Sequence, residues 1–372
     1  MSVDQNSQNV TSHESLQMFT LSRSKGGVTT LAPDSISDII PAAVIELLYT
    51  VIAIAAHGMA SFLGLGANCI NLIVLSKLGL QNGNSVGVFA LSVTDLIVTL
   101  TQLATSLCYL LDKMYPDHPS NLRVLGNFEL GWIRYTCFFI SGWITALLFV
   151  ERCCCVLLPF KVKQLFSRSR VVTAVLVVYT VYIGFTLPLY ASQNLSWSLI
   201  NFADTTNVTK ERLFLVFKYT EEFLVLQKYL MSVFVVALFF MCQVLLLSCT
   251  AVMIHVLHAS SKFRHAIKKE SHPSVPQYSL STRERRLVRV ILCLALIFTI
   301  CNLPRFADHA LRYAITGMEF GMFVNLSSLL WSVSDLCGTI NCSTSFLVYW
   351  TLNTNFRKSC LEMFTKIEIY KH

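Results

Sequence analysis

Gly131-Trp-Ile-Arg134-Tyr-Thr-Cys-Phe-Phe-Ile-Ser141-Gly-Trp-Ile-Thr-Ala-Leu-Leu-Phe-Val-Glu151-Arg152-Cys153-Cys-Cys-Val-Leu-Leu-Pro159 is the stretch on which the fold turns. No residue between Arg134 and Glu151 is charged. Arg134 and Arg152 are 18 residues apart, which in a helix is five whole turns and roughly 27 Å. That distance is close to the thickness of a bilayer's hydrocarbon core, roughly 30 Å. Both arginines fall on one face, with Ser141 within about 20° of the same line. Lipid-exposed backbone must satisfy its own hydrogen bonds, so such a segment has to be helical.

Six further apolar runs surround this one. The full set reads as about 48–76, 84–111, 131–158, 171–192, 229–257, 286–312 and 322–350. The 372 residues are 54% hydrophobic and 13% charged, against about a quarter charged in soluble chains. The expected fold is therefore all-α: a bundle of seven transmembrane helices, followed by a short amphipathic eighth. Residues 1–43 are polar and rich in Ser, Thr and Asn, without a basic start and apolar core, and read as a disordered extracellular tail rather than a signal peptide. Residues 44–352 form the transmembrane domain, and 353–372 the eighth helix and cytoplasmic tail.

Charge sets the expected orientation. With the N-terminus outside, the cytoplasmic segments hold 18 of the 29 Lys and Arg and 5 of the 21 Asp and Glu, the usual cytoplasmic bias. The sequons at Asn9, Asn194 and Asn207 then face outward as glycosylation candidates, whereas those at Asn325 and Asn341 fall at or within the last helix. The thirteen cysteines lie in helices or on the cytoplasmic side, and the outer segments Asp112–Leu130 and Tyr190–Lys228 contain none. No extracellular disulfide is expected.

Several polar residues sit where a membrane charges for them. A charge at mid-helix costs about 2.5–3.5 kcal/mol on insertion scales. Asp95, in the middle of the second helix, is therefore read as facing the bundle interior, either as an ion or proton site or as a neutral, hydrogen-bonded acid. In the sixth helix, Glu284, Phe298 and Arg305 lie within about 60° of each other. Pro304 removes a backbone hydrogen bond there and favours a kink. In the seventh, Asn341, Ser345 and Tyr349 form a stripe at i, i+4, i+8, with Asp335 a turn and a half further out.

These residues resemble the motifs of rhodopsin-like G-protein-coupled receptors over about residues 48–366. Glu151-Arg152-Cys153, with Pro159 seven residues after the arginine, resembles the acidic-Arg-aromatic motif, with cysteine in place of the aromatic. Asn68 resembles the first-helix asparagine, and Leu91 to Asp95 the second-helix LxxxD. Phe298 with Cys301-Asn302-Leu-Pro304 resembles the F…CWxP switch, with Asn302 at the tryptophan position. Ser345 to Tyr349 resembles NPxxY with Asn and Pro both replaced, and Phe356-Arg357 the start of the eighth helix. The run from Glu151 to Lys163 is similar to divergent invertebrate peptide or chemosensory receptors. The departures are Asn127 where the family has its third-helix cysteine, no tryptophan in the fourth helix and no proline in the fifth.

The resemblance implies a plasma-membrane receptor that binds an extracellular ligand, a peptide or a small acidic or chemosensory molecule. A heterotrimeric G protein would then be activated by movement of the sixth helix. It implies an inactive-state pair of Arg152 with Glu284, to which a solvated helix-end Glu284 paired with nearby arginines is the alternative. It also implies a polar cavity of Asn68, Asp95, Ser141, Asn341 and Ser345 that holds a sodium ion or bridging waters. Arg134, Arg305, Asp308 and Asp335 would line the ligand pocket, and an internal Arg134–Asp335 pair is the alternative to direct ligand contact. Cys360 is a palmitoylation candidate, as are Cys153–Cys155, which can equally be plain buried thiols. No cofactor is required, no enzyme activity is expected since no catalytic pair stands beside Asp95 or Asp335, and no nucleic-acid partner is expected. A transporter or a ligand-gated channel with seven helices is the rival reading.

Overall fold

The computed structural model describes residues 42–115, 121–158, 160–203, 209–218, 220–231, 233, 238–271, 282–314, 324–352 and 354–369. The first apolar run forms α1 (Ala42–Thr50), a π-helical turn at Val51–Ala56, and α2 (His57–Leu78). The next three form α3 (Gly83–Met114), α4 (Leu122–Leu157) and α6 (Arg168–Ser192), with the single turn α5 (Val162–Leu165) between the last two. Then come β1 (Asn194–Ala203), β2 (Thr209–Lys218), α7 (Glu221–Met231), α8 (Phe240–Ser271), α9 (Thr282–Ala314), α10 (Val324–Leu352) and α11 (Thr354–Ile369). Four spans are long and apolar enough to cross a bilayer: Leu47–Leu78, Gly83–Met114, Leu122–Leu157 and Arg168–Ser192.

Two boundaries differ from the sequence reading for the same reason: hydropathy marks where lipid ends, not where a helix ends. α4 starts at Leu122 rather than near 131, because Asn121 caps it by accepting a hydrogen bond from the Val124 amide (3.3 Å). α8 runs to Ser271, well past 257, through a segment rich in Ala and Lys with no glycine or proline to stop it. The outer segment read as loop carries an antiparallel hairpin, whose ladder runs from Asn194↔Lys218 to Ala203↔Thr209. Its first strand alternates Leu195, Trp197 and Leu199 with polar residues, the period that strands favour. The all-α expectation is corrected to that extent.

The long helices close a ring. α3 packs on α2 and α4, α4 on α8, α8 on α9, α9 on α10, and α10 back on α2, while α6 lies against α3 and α4. Within lipid there is little hydrophobic drive between helices, so close packing and interhelical hydrogen bonds must hold them. The α2 face shows how. His57, Ser61, Gly64, Asn68 and Asn71 recur at heptad spacing and are all buried. A Cβ on Gly64 would run into the Ser343 hydroxyl of α10 and come within 2.7 Å of the Thr99 methyl of α3, so only glycine allows the three helices to meet there. Three bonds stitch α2 to α10: His57 Nε2 to the Ser332 carbonyl (3.2 Å), Asn68 Nδ2 to the Cys342 carbonyl (3.1 Å) and Ser343 Oγ to the Ala60 carbonyl (3.1 Å). Trp143 of α4 donates to Tyr182 of α6 at 2.6 Å, and Thr136 to Thr186 at 2.9 Å. All thirteen cysteines are free thiols.

Candidate functional site

The end of the bundle expected to face outward is organised by one carboxylate. Asp335 of α10 accepts from Arg305 of α9 at 2.9 Å and from Arg134 of α4 at 3.3 Å. Arg134 also donates to the Thr105 hydroxyl of α3 (3.1 Å), so four helices meet at this cluster. The heptad logic of the sequence explains the convergence: Arg134 lies on the inward stripe of α4 with Ser141, and Arg305 on the inward stripe of α9 with Phe298. The Arg305 guanidinium stacks over the Phe138 ring, 4.2 Å from its centroid, and lies 5.2 Å from that of Tyr135. Such stacking suits a weakly hydrated, planar cation. A crevice of about 10 Å³, room for about one water, lies between the helices, with Arg134, Arg305 and Asp335 on its polar side and Val98, Phe138 and Thr339 among the rest of its lining. Gly338 makes it possible, since a Cβ there would sit 2.7 Å from the Phe138 ring and 3.4 Å from the Arg305 guanidinium. The internal Arg134–Asp335 pair thus forms, and Arg305 joins it. Asp308, three residues along α9, is also buried and makes contacts of its own.

Half-way down, Asp95 is 1% exposed. Its two oxygens accept from Ser141 Oγ of α4 (2.5 Å) and Ser345 Oγ of α10 (2.6 Å). Four of the five residues expected in this cavity are buried around it or beside it, and the fifth, Asn341, is half-buried. Beside Ser345, the residue of α10 that reaches the carboxyl is Cys342 rather than Asn341; Cys342 is 1% exposed and its thiol is within hydrogen-bonding reach of Asp95. Sequence reasoning missed it because it followed asparagine as the polar residue; the i, i+3 spacing of Cys342 and Ser345 marks the buried face. The oxygens of Asp95, Ser141 and Ser345 fit a hard monovalent cation. The thiol does not.

An aromatic chain connects the two levels. Phe239, fully buried just before α8, contacts Phe138 (5.9 Å between centroids), Phe139 (5.4 Å), Phe306 (5.3 Å) and Phe298 (6.5 Å). Phe239 was not singled out from the sequence, where it is one of 25 phenylalanines. One turn from Phe298 towards Arg305, Asn302 is wholly buried and donates to the Phe298 carbonyl at 2.8 Å. It therefore bonds within its own helix, where the resemblance placed a tryptophan. Pro304 lies inside α9.

At the inner end, Glu151 is buried, and Arg152 projects outward and donates to Asn84 of α3 at 2.7 Å. The side chains of Glu284 and Tyr349 lie outside the described residues, as does all of Pro159, so the Arg152–Glu284 pair falls outside them too. Asn9 and Asn207 lie outside them as well, whereas Asn194 is exposed at the start of β1. Cys360 has no exposed surface and packs with Phe356, Val74, Leu75 and Val88. Burial raises the Cys360 thiol pKa, so neither access nor thiolate character favours acylation there. Cys154 and Cys155 are half-buried and Cys153 is buried.

A ring of helices, four of them apolar and long enough to cross a bilayer, with an ion-paired cluster at one end and an exposed arginine bonded to Asn84 at the other, suits a membrane receptor of the G-protein-coupled class. The chain belongs to the serpentine type 7TM GPCR chemoreceptor Srt family, whose model matches residues 42–269. No curated protein matches it. The family is a non-enzymatic class of multi-pass plasma-membrane receptors, so the receptor reading stands over the transporter and channel.

Proposed function

We propose that this chemoreceptor crosses the plasma membrane seven times with its N-terminus outside, and that α11 lies along the cytoplasmic surface. Its ligand is a small chemosensory molecule that enters the outer crevice, and α9 moves to admit a heterotrimeric G protein beside Arg152. The observation that carries this reading is the connection through α9: Arg305 at the crevice and Phe298 below it lie on one buried face, joined laterally through Phe138 and Phe239. A ligand that disturbs Arg305 or Phe138 therefore shifts the packing against which α9 rests. Packed interfaces of this kind switch between discrete arrangements rather than deforming smoothly.

Arg152→Ala tests the coupling end. Across a panel of G proteins, and at matched surface level, it is expected to lower the response by about tenfold or more, the size of a typical coupling free energy. A full response in the variant would sink the reading. Glycans at Asn194 or Asn207 would place the hairpin outside; their absence from both, with cytoplasmic tagging of the N-terminus, would reverse the orientation. A sodium ion held by Asp95, Ser141 and Ser345 would favour one arrangement of α3, α4 and α10 by binding it more tightly.

A further inference from the structure

Two guanidinium groups share one carboxylate in the outer crevice. Asp335 supplies a single negative charge to Arg134 and Arg305, whose side chains are 12% and 4% exposed. The donors exceed the acceptors: a guanidinium carries five N–H donors, and Arg305 Nε is buried with no hydrogen-bond partner. The second buried acid nearby, Asp308, lies close to Tyr135 and has its own contacts. Val98 and Thr339 complete the lining beside Phe138, on whose ring the Arg305 guanidinium lies.

We propose that Arg134 and Arg305 take the carboxylate of a compact ligand with a short apolar tail, and that Asp335 is a tethered anion which this carboxylate displaces, widening the small crevice as it enters. This deepens the receptor reading and rests on it only for the step from binding to signal. An arginine fork matches a carboxylate in two-point geometry, and two forks on different helices discriminate it from an alcohol or amide of the same shape. The tail packs on Phe138 and Val98. Displacement frees Asp335, and with it α10, from α4 and α9, so binding and rearrangement are one event.

The test uses the full chain in lipid nanodiscs, with acetate, butanoate, hexanoate and octanoate as probes and the corresponding primary alcohols and amides as controls. At saturating concentration one or more carboxylates should raise the unfolding midpoint by roughly 2 °C or more, with no shift from its alcohol or amide. In Asp335→Ala, where the tethered anion is gone, formate or acetate should restore stability, and formamide or acetamide should not. Equal shifts from acids and alcohols, or no shift from any acid, overturn the proposal; the wild-type arm decides if the variant does not fold. G-protein activation is read in parallel. Acids that bind without signalling support the ligand class while removing the receptor mechanism. A neutral alcohol that signals while acids neither bind nor signal leaves the receptor mechanism intact and removes the ligand class.

Discussion

Asp335→Ala is expected to leave only a small fraction of the receptor folded at the cell surface. Arg305 and Arg134 approach Asp335 at 2.9 and 3.3 Å with little solvent access, so the substitution strands two buried cations at once. Breaking a buried pair from one side costs about 3–5 kcal/mol, a large share of the roughly 5–15 kcal/mol that holds a typical fold. Replacing all three charges together (Arg134→Met, Arg305→Met, Asp335→Leu) should recover most of the surface population, because apolar side chains of similar volume substitute well for buried ion pairs. The charge-swapped pair Arg134→Asp with Asp335→Arg should recover less, since Arg305 would then face an arginine. Surface staining against total protein reads all three. Wild-type surface levels in Asp335→Ala would show that the ion cluster contributes little.

The second large effect falls on Asp95. Asp95→Leu removes the acceptor of two buried hydroxyls, Ser141 and Ser345, in a site with 1% exposure. Each orphaned hydroxyl costs about 1–3 kcal/mol, and the branched side chain must also fit where a carboxylate lay. A fall in the unfolding midpoint of several degrees is expected. Asp95→Asn keeps shape and one acceptor oxygen, so it should fold nearly normally while abolishing any dependence of basal signalling on sodium against choline. Persistence of sodium dependence in Asp95→Asn would place the ion elsewhere.

The membrane class of this chain was legible because apolar runs and buried charges are written in one dimension. So was part of the ion cluster: Arg134 and Arg305 stand on inward stripes that helical counting identifies, whereas Asp335 lies a turn and a half beyond the polar stripe of its helix. What counting did not reveal is which inward residues touch. Asp335 serves two arginines rather than one because α9 and α4 both flank α10 at that level, and helix neighbours are not encoded in any single stripe. Cys342 was passed over for Asn341 because polarity was used as the sign of an inward face. Phe239 was invisible for the opposite reason, as aromatic residues are everywhere in such a sequence, and only packing distinguishes a linking ring from a lipid-facing one. One motif departure has a visible local outcome: at the position where the resembled family has tryptophan, Asn302 bonds back to the Phe298 carbonyl of its own helix.

The hairpin β1–β2 and the thirteen unpaired thiols have a practical corollary. The hairpin is held by its own amide ladder and no sulfur bridge ties the chain together, so correct assembly should not depend on an oxidising lumen. Preparation in millimolar dithiothreitol, or synthesis in a reducing cell-free extract supplied with lipid, should therefore yield the same binding-competent receptor as secretory expression.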